Sequence, residues 1–206
     1  MGKKQLQLRN KNQASIILGF VFILISMKGC HRIVWNVRMH QGVCYMWAIL
    51  NFEASGLSDQ SYPIEVGYAL PDAEGYSLLI NPLSSATQWS YWDDFAEQQL
   101  HHRSRQELIT KGLNVGDVCQ HLNQVLGHYE VVLCGSQWDL FWLGRLYQAA
   151  HMRPSFLLLE VGQWLKQNNG IERECFKSVF EPRFDVKNRA MSNAQQMQVA
   201  ISQLVE

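Results

Sequence analysis

The sequence predicts an α/β protein, in which a mixed five-stranded sheet over residues 46–206 is flanked by helices. Short apolar runs bounded by turn residues are typical of buried strands. The first three runs follow one another closely, as in an antiparallel meander, and the last two alternate with helical patterns, as in parallel strand–helix units. With 47% hydrophobic and 17% charged residues, the composition excludes a disordered or collagen-like chain.

Three apolar runs predict the meander. Residues 47–52 (WAILNF) precede a loop rich in Gly, Ser and Asp, and a PDAEG turn joins the runs at 64–70 (IEVGYAL) and 76–80 (YSLLI). The Pro and the Gly of that turn suit a hairpin. We therefore expect three consecutive antiparallel strands.

Helical and strand patterns alternate after the meander. Apolar residues at helical spacing from Val115 to Leu126 predict an amphipathic helix, and Asn114 is a good N-cap for it. Apolar runs predict two parallel strands at 129–134 and 156–159. The other helices are predicted at 106–110, 140–150, 161–167 and 190–204.

Residues 1–45 differ from the rest of the chain in charge. They contain seven Lys or Arg and no Asp or Glu, so the other 11 basic residues and all 18 acidic residues leave residues 46–206 with a net charge of −7. The apolar run from Ala14 to Met27 follows basic residues, as in a signal anchor, although a spanning helix needs about 20 apolar residues. An over-extended reading frame before Met46 and an ordered N-terminal helix are the alternatives.

These observations divide the chain into an N-terminal segment, 1–45, and a domain, 46–206. The five cysteines are widely spaced and form no CxxC pair, which indicates neither a disulfide scaffold nor a zinc module. We expect a cytoplasmic protein, or a membrane-anchored one if residues 14–27 are an anchor. The oligomeric state stays open.

A candidate site follows the first predicted strand. Asn51 and Glu53 are two residues apart, so their side chains leave the same face of the strand. Ligands of α/β sheets bind beyond the carboxyl ends of the strands. The small-residue turn that follows includes Gly56, and a glycine permits close approach of a ligand to the backbone.

Three segments resemble the motifs of the DEDD-type 3′–5′ exonucleases, in particular the DEDDh branch. NFEASGLSDQSYPIEVGYAL, from Asn51, resembles the first motif, and QWDLFWLGRLY, with Asp139 as its acidic residue, resembles the second. NRAMSNA, from Asn188, resembles the third. The resemblance extends over residues 46–200 and implies a ribonuclease H-like fold.

The resemblance also implies a chemistry. In that family four carboxylates hold two Mg²⁺ or Mn²⁺ ions, a His acts as general base, and the 3′ end of a single-stranded nucleic acid is hydrolysed. The metal ligands retained in this sequence are Glu53 and Asp139. The turn Ser55, Gly56 and Leu57 is implied to contact the terminal nucleotide. The five catalytic positions of the family correspond to Asn51, Glu53, Asp139, Asn188 and Asn193.

Three of these five positions are Asn, which replaces two carboxylates and the His. Hard divalent cations require anionic oxygens, and an Asn amide does not titrate as a base. We therefore expect a weak or inactive exonuclease. The alternative is a catalytically dead module of the same fold that binds nucleic acid or protein, although a net charge of −7 opposes non-specific nucleic-acid binding.

Two further groups of residues are considered for nucleic-acid contacts. His101 and His102, beside Arg103 and Arg105, suggest either a phosphate-contacting patch or a solvated loop. The second group provides aromatic faces for base stacking, and its members are Trp89, Trp92, Trp138 and Trp142. Core packing is expected for Trp138 and Trp142, which flank Asp139.

Overall fold

A computed structural model describes residues 47–71, 74–86, 88–180 and 189–205, together with the backbone of four short stretches before residue 34. The chain divides into two compact units, residues 1–45 and 46–206. In the first unit, the described stretches form two antiparallel strand pairs. They are β1 (Ile16–Ile17) with β2 (Phe20–Val21), and β3 (Leu24–Met27) with β4 (Cys30–Ile33).

The N-terminal helix considered above is therefore wrong for the described part of the apolar run, because those residues pair as strands. Throughout the described residues, no helix is both long and apolar enough to cross a membrane.

The second unit contains the predicted α/β fold. Its strands are β5 (Trp47–Ala54), β6 (Pro63–Ala69), β7 (Gly75–Leu79), β8 (Val131–Cys134) and β9 (Leu158–Glu160). They form one sheet in the order β7-β6-β5-β8-β9, with antiparallel pairing from β5 to β7 and parallel pairing of β8 with both β5 and β9. This mixed arrangement, with helices against it, confirms the predicted sheet and is ribonuclease H-like.

The predicted helices are all present, and Asn114 caps the second one through a hydrogen bond from the Gly116 N–H. Three elements of this unit were not predicted: α5 (Arg173–Val179), a π-helical segment, Ala96–His101, and a 3₁₀ turn, Pro82–Ser84. All three are too short to show an apolar periodicity. The helices are α1 (Arg105–Lys111), α2 (Val115–Leu126), α3 (Gln137–Ala149), α4 (Val161–Asn169), α5 (Arg173–Val179) and α6 (Arg189–Val205).

The two faces of the meander differ in polarity. Leu50, Phe52 and Val66 are buried in the main apolar core, to which α2 and α3 also contribute. On the opposite face, β5 carries Asn51 and Glu53, and α6 packs over β5, β6 and β7. The candidate site thus lies between the polar face of the sheet and α6.

Gly67 permits the close approach of α6. It pairs with Asn51 across the strands, and a Cβ atom at this position would lie 2.1 Å from the backbone N of Met191 and 2.2 Å from the backbone C of Ala190. No side chain fits at that distance from a backbone. The first turn of α6 is therefore seated on Gly67, beside Asn51.

We predict that Gly67→Ala destabilises the protein by at least 1–3 kcal/mol, about the cost of overpacking a core, because the helix backbone must move away from the sheet. Gly144→Ala is the matched control, since Gly144 is exposed on α3 and its added Cβ meets nothing within 4 Å. The control should be neutral or stabilised by up to about 1 kcal/mol. Denaturant unfolding measures both, and equal stability of the two variants would contradict the prediction.

Candidate functional site

The candidate site is formed where β5, α3 and the start of α6 meet. Asn51 Nδ2 donates to Asp139 Oδ1 at 3.3 Å, and Glu53 is bound by Arg189, the first residue of α6. Asn193 is buried one helical turn after Arg189, on the same face of α6. Asn188 lies outside the described residues.

Asp139 connects α3 to β5. Its Oδ1 accepts the Phe52 N–H at 2.9 Å, and its Oδ2 accepts the N–H of Ser136 at 3.0 Å and its hydroxyl at 2.9 Å. Ser136 in turn caps α3, so the two residues form a capping box. Burial raises the pKa of Asp139 to about 6, and the bonds from Phe52 and Ser136 oppose that rise. Both carboxylate oxygens are thus used within the fold.

Glu53 is bound by a guanidinium. Arg189 Nε donates to Oε1 at 2.6 Å, Nη2 donates to Oε2, and Nη1 donates to the Leu100 carbonyl at 2.6 Å. Glu53 is 5% exposed and Arg189 is 9% exposed, so the pair is shielded from water. Burial raises the pKa of Glu53 to about 7, and the guanidinium opposes part of that rise. Such bidentate pairs are strong and geometrically specific.

A second buried carboxylate lies beside this pair. Glu65 is opposite Glu53 in the strand register, and its Oε1 accepts the Ser77 hydroxyl at 2.5 Å. Arg103 Nε is 3.7 Å from Glu65 Oε2, and Arg103 also forms an ion pair with Glu107. Burial raises the pKa of Glu65. The sequence analysis overlooked Glu65, although a Glu within an otherwise apolar strand was a usable signal.

The segment around His101 is a solvated loop only in part, because His101 is buried whereas His102 is exposed. His101 is 6% exposed and packs edge-on against Trp92, and its Nδ1 accepts the Arg103 N–H at 3.1 Å. Its Nε2 is buried without a hydrogen-bond partner among the described residues. Arg105 donates to the Trp89 carbonyl at 2.8 Å. These side chains are used for packing, and the segment covers the Arg189–Glu53 pair through the Leu100 carbonyl.

The turn implied to contact a nucleotide is partly closed. The Ser55 hydroxyl is buried and accepts the Tyr62 N–H at 3.2 Å. Gly56 has φ +153°, and a Cβ atom there would lie 2.7 Å from the Cβ of Asp93, so only glycine fits. Leu57 is 62% exposed. Of the three residues, Leu57 presents its side chain to solvent.

Trp138, at the start of α3, is also exposed. Trp142 is buried, as expected, and its Nε1 donates to Ser61 Oγ at 2.9 Å, which joins α3 to the loop after β5. Trp138 stacks on Trp142, with ring centroids 5.5 Å apart, but 38% of it is exposed. Core packing is therefore wrong for Trp138. Its place in the first turn of α3, before the buried Asp139, leaves it on the solvent side.

The described residues do not fit the two divalent ions that the resemblance implies. Both oxygens of Glu53 are bound by Arg189, and both oxygens of Asp139 accept hydrogen bonds from the fold. Within the described part of the chain, no three His, Cys, Asp or Glu side chains are grouped so as to hold a metal ion. The cation beside Glu53 is an arginine.

Comparison with known proteins gives no match to any protein-family model and none to a curated protein. Among solved structures, the chain is similar to a moderately thermophilic exonuclease I from Methylocaldum szegediense, at 11% identity and a TM-score of 0.46. The match covers 73% of this chain and 35% of that one. A similarity at this level carries no conclusion about activity or substrate.

Burial of His101 predicts a pH effect on stability. Desolvation, together with the Arg189 charge, lowers its pKa to about 4, whereas an unfolded His titrates near 6.5. Between these values the unfolded state takes up the proton more readily, so stability is lost as the pH falls. His101→Asn keeps an acceptor for the Arg103 N–H and does not titrate.

We predict that the stability of the wild type relative to His101→Asn falls by up to about 2 kcal/mol between pH 7 and pH 5. Denaturant unfolding at both pH values measures this difference. Other titrating groups, such as Glu53 and Asp139, are present in both proteins, so their effect on stability cancels in the comparison. Parallel stability curves for the two proteins would show that His101 titrates normally.

Proposed function

We propose that residues 46–206 form an exonuclease-like domain that binds the 3′ end of a single-stranded nucleic acid without hydrolysing it. One observation supports the loss of hydrolysis above all others: the Arg189 guanidinium binds both oxygens of Glu53. In the family that the sequence resembles, a metal ion uses that carboxylate.

The electrostatics of the site support the same conclusion. A divalent ion about 4 Å from the guanidinium would be repelled by about 8 kcal/mol at an effective dielectric constant of 20. The amides of Asn51 and Asn193 contribute no charge to offset this repulsion. Asn188, at the position of the family's general base, has no titratable group. These features make the site poorly suited to hold the two cations that two-metal hydrolysis requires, and they leave no titratable group at the position of the base.

Two exposed side chains support binding of a strand end. Leu57 follows Glu53 by four residues and Trp138 directly precedes Asp139, and both side chains are exposed. The Trp142–Ser61 hydrogen bond joins the two elements that carry them. Aromatic side chains stack with bases whatever their sequence. Because the domain has a net charge of −7, we expect weak binding that depends on stacking more than on phosphate contacts.

A protein-binding role is the second candidate, and the same charge favours it. Strongly acidic domains attract basic partners and repel polyanions. Phe95, which is 65% exposed, adds an apolar side chain two residues after Asp93, the residue that packs against Gly56. A basic peptide or protein surface would suit this part of the domain.

The first prediction of this proposal is that the full chain does not shorten a 3′ end. A labelled single strand incubated with Mg²⁺ or Mn²⁺ should keep its length on a sequencing gel, because no described residue group holds the ions. Glu53→Gln is the control for contaminating nucleases. Shortening that a chelator stops and that Glu53→Gln abolishes would refute the proposal.

The second prediction concerns binding. Trp138→Ala should weaken binding of a fluorescent single strand roughly 5- to 100-fold, about the contribution of one stacked base. Leu57→Ser should weaken it as well, because it removes apolar contact surface. Leu157→Ser is the matched control, since Leu157 is 57% exposed but precedes β9 and so lies at the amino ends of the parallel strands. Anisotropy titration measures all three. Equal affinities would exclude this surface, and no binding by the wild type would favour the protein-binding candidate.

A further inference from the structure

Arg189 is placed as an internal ligand of Glu53. It is the first residue of α6, and its position is fixed by the seat of that helix on Gly67. All three nitrogens of its guanidinium donate hydrogen bonds, two of them to Glu53 and one to the Leu100 carbonyl. The guanidinium of Arg189 therefore has a structural role, because all of its nitrogens are hydrogen-bonded within the fold.

Glu53 requires a cation wherever it is ionised. Its side chain is 5% exposed, and the charges of Glu65 and Asp139 lie close enough to disfavour its ionised form further. A buried carboxylate that has lost its partner is strongly destabilising. Arg103 is shared between Glu65 and Glu107, so within the described part of the chain Arg189 is the cation paired with Glu53.

Removing the guanidinium would free the two carboxylate oxygens of Glu53. Asn51 lies two residues before Glu53, on the same face of β5, and its amide nitrogen donates to Asp139. The Asn51 Oδ1 atom is buried and has no hydrogen-bond partner among the described residues. Carboxylate and amide oxygens are ligands that Mg²⁺ and Mn²⁺ accept.

We propose that Arg189 is a built-in counter-ion that takes the place of a divalent cation at Glu53, so that removing its guanidinium converts the site into one that binds Mg²⁺ or Mn²⁺. This inference goes beyond the proposed function, because it concerns what occupies the site and not what the domain binds. It also makes the stability of the wild type independent of divalent ions.

The test uses the full chain and measures melting temperature with millimolar Mn²⁺ or with a chelator, without any nucleic acid. The wild type should melt at the same temperature in both. Arg189→Met should melt roughly 10 °C lower in chelator, because Glu53 has lost its partner, and Mn²⁺ should restore several degrees. Glu53→Gln combined with Arg189→Met should show no response to Mn²⁺, and Arg189→Lys, which keeps the charge, should show none either.

Three results would overturn the inference. They are a wild type that Mn²⁺ stabilises, a folded Arg189→Met that Mn²⁺ does not stabilise, and an Arg189→Met that fails to fold both with and without Mn²⁺. These outcomes are separate from the proposed function. A wild type that shortens DNA yet shows the expected melting behaviour would refute the function alone.

Discussion

The ion pair between Arg189 and Glu53 is the interaction on which the rest of the site depends. The Glu53 carboxylate, near the end of β5, is buried beneath α6. The fold tolerates it because the first residue of that helix, Arg189, pairs with it. Gly67 leaves room for the helix backbone, and the Leu100 carbonyl accepts the remaining donor. The strand, the helix and the π-helical segment are therefore held together around one pair of charges.

Asp139, like Glu53, has both of its carboxylate oxygens hydrogen-bonded within the fold. The resemblance to the exonuclease motifs implies that Asp139 is a metal ligand. In this structure, Asp139 caps the first turn of α3 and accepts the Phe52 N–H of β5. Hydrogen bonds that stabilise a buried carboxylate also occupy its lone pairs. The two carboxylates that correspond to the family pattern by resemblance, Glu53 and Asp139, are thus both part of the framework of this fold.

The sheet and most helices could be predicted from the sequence, because strands and amphipathic helices carry local periodicities. The run WAILNF and the spacing of the apolar residues of α2 are two such signals. The pairing of Arg189 with Glu53 had no local signal, because the two residues are 136 positions apart. The burial of His101 was also missed, because a polar run beside arginines resembles a solvated loop until packing covers it.

The hydrogen bond from Asn51 to Asp139 limits which neighbouring sequences can fold. Aspartate at position 51 would replace a donor with an acceptor 3.3 Å from Asp139 Oδ1 and place two carboxylates side by side. Losing Arg189 alone would leave Glu53 without its cation. Each of these two single substitutions is therefore unfavourable in this background.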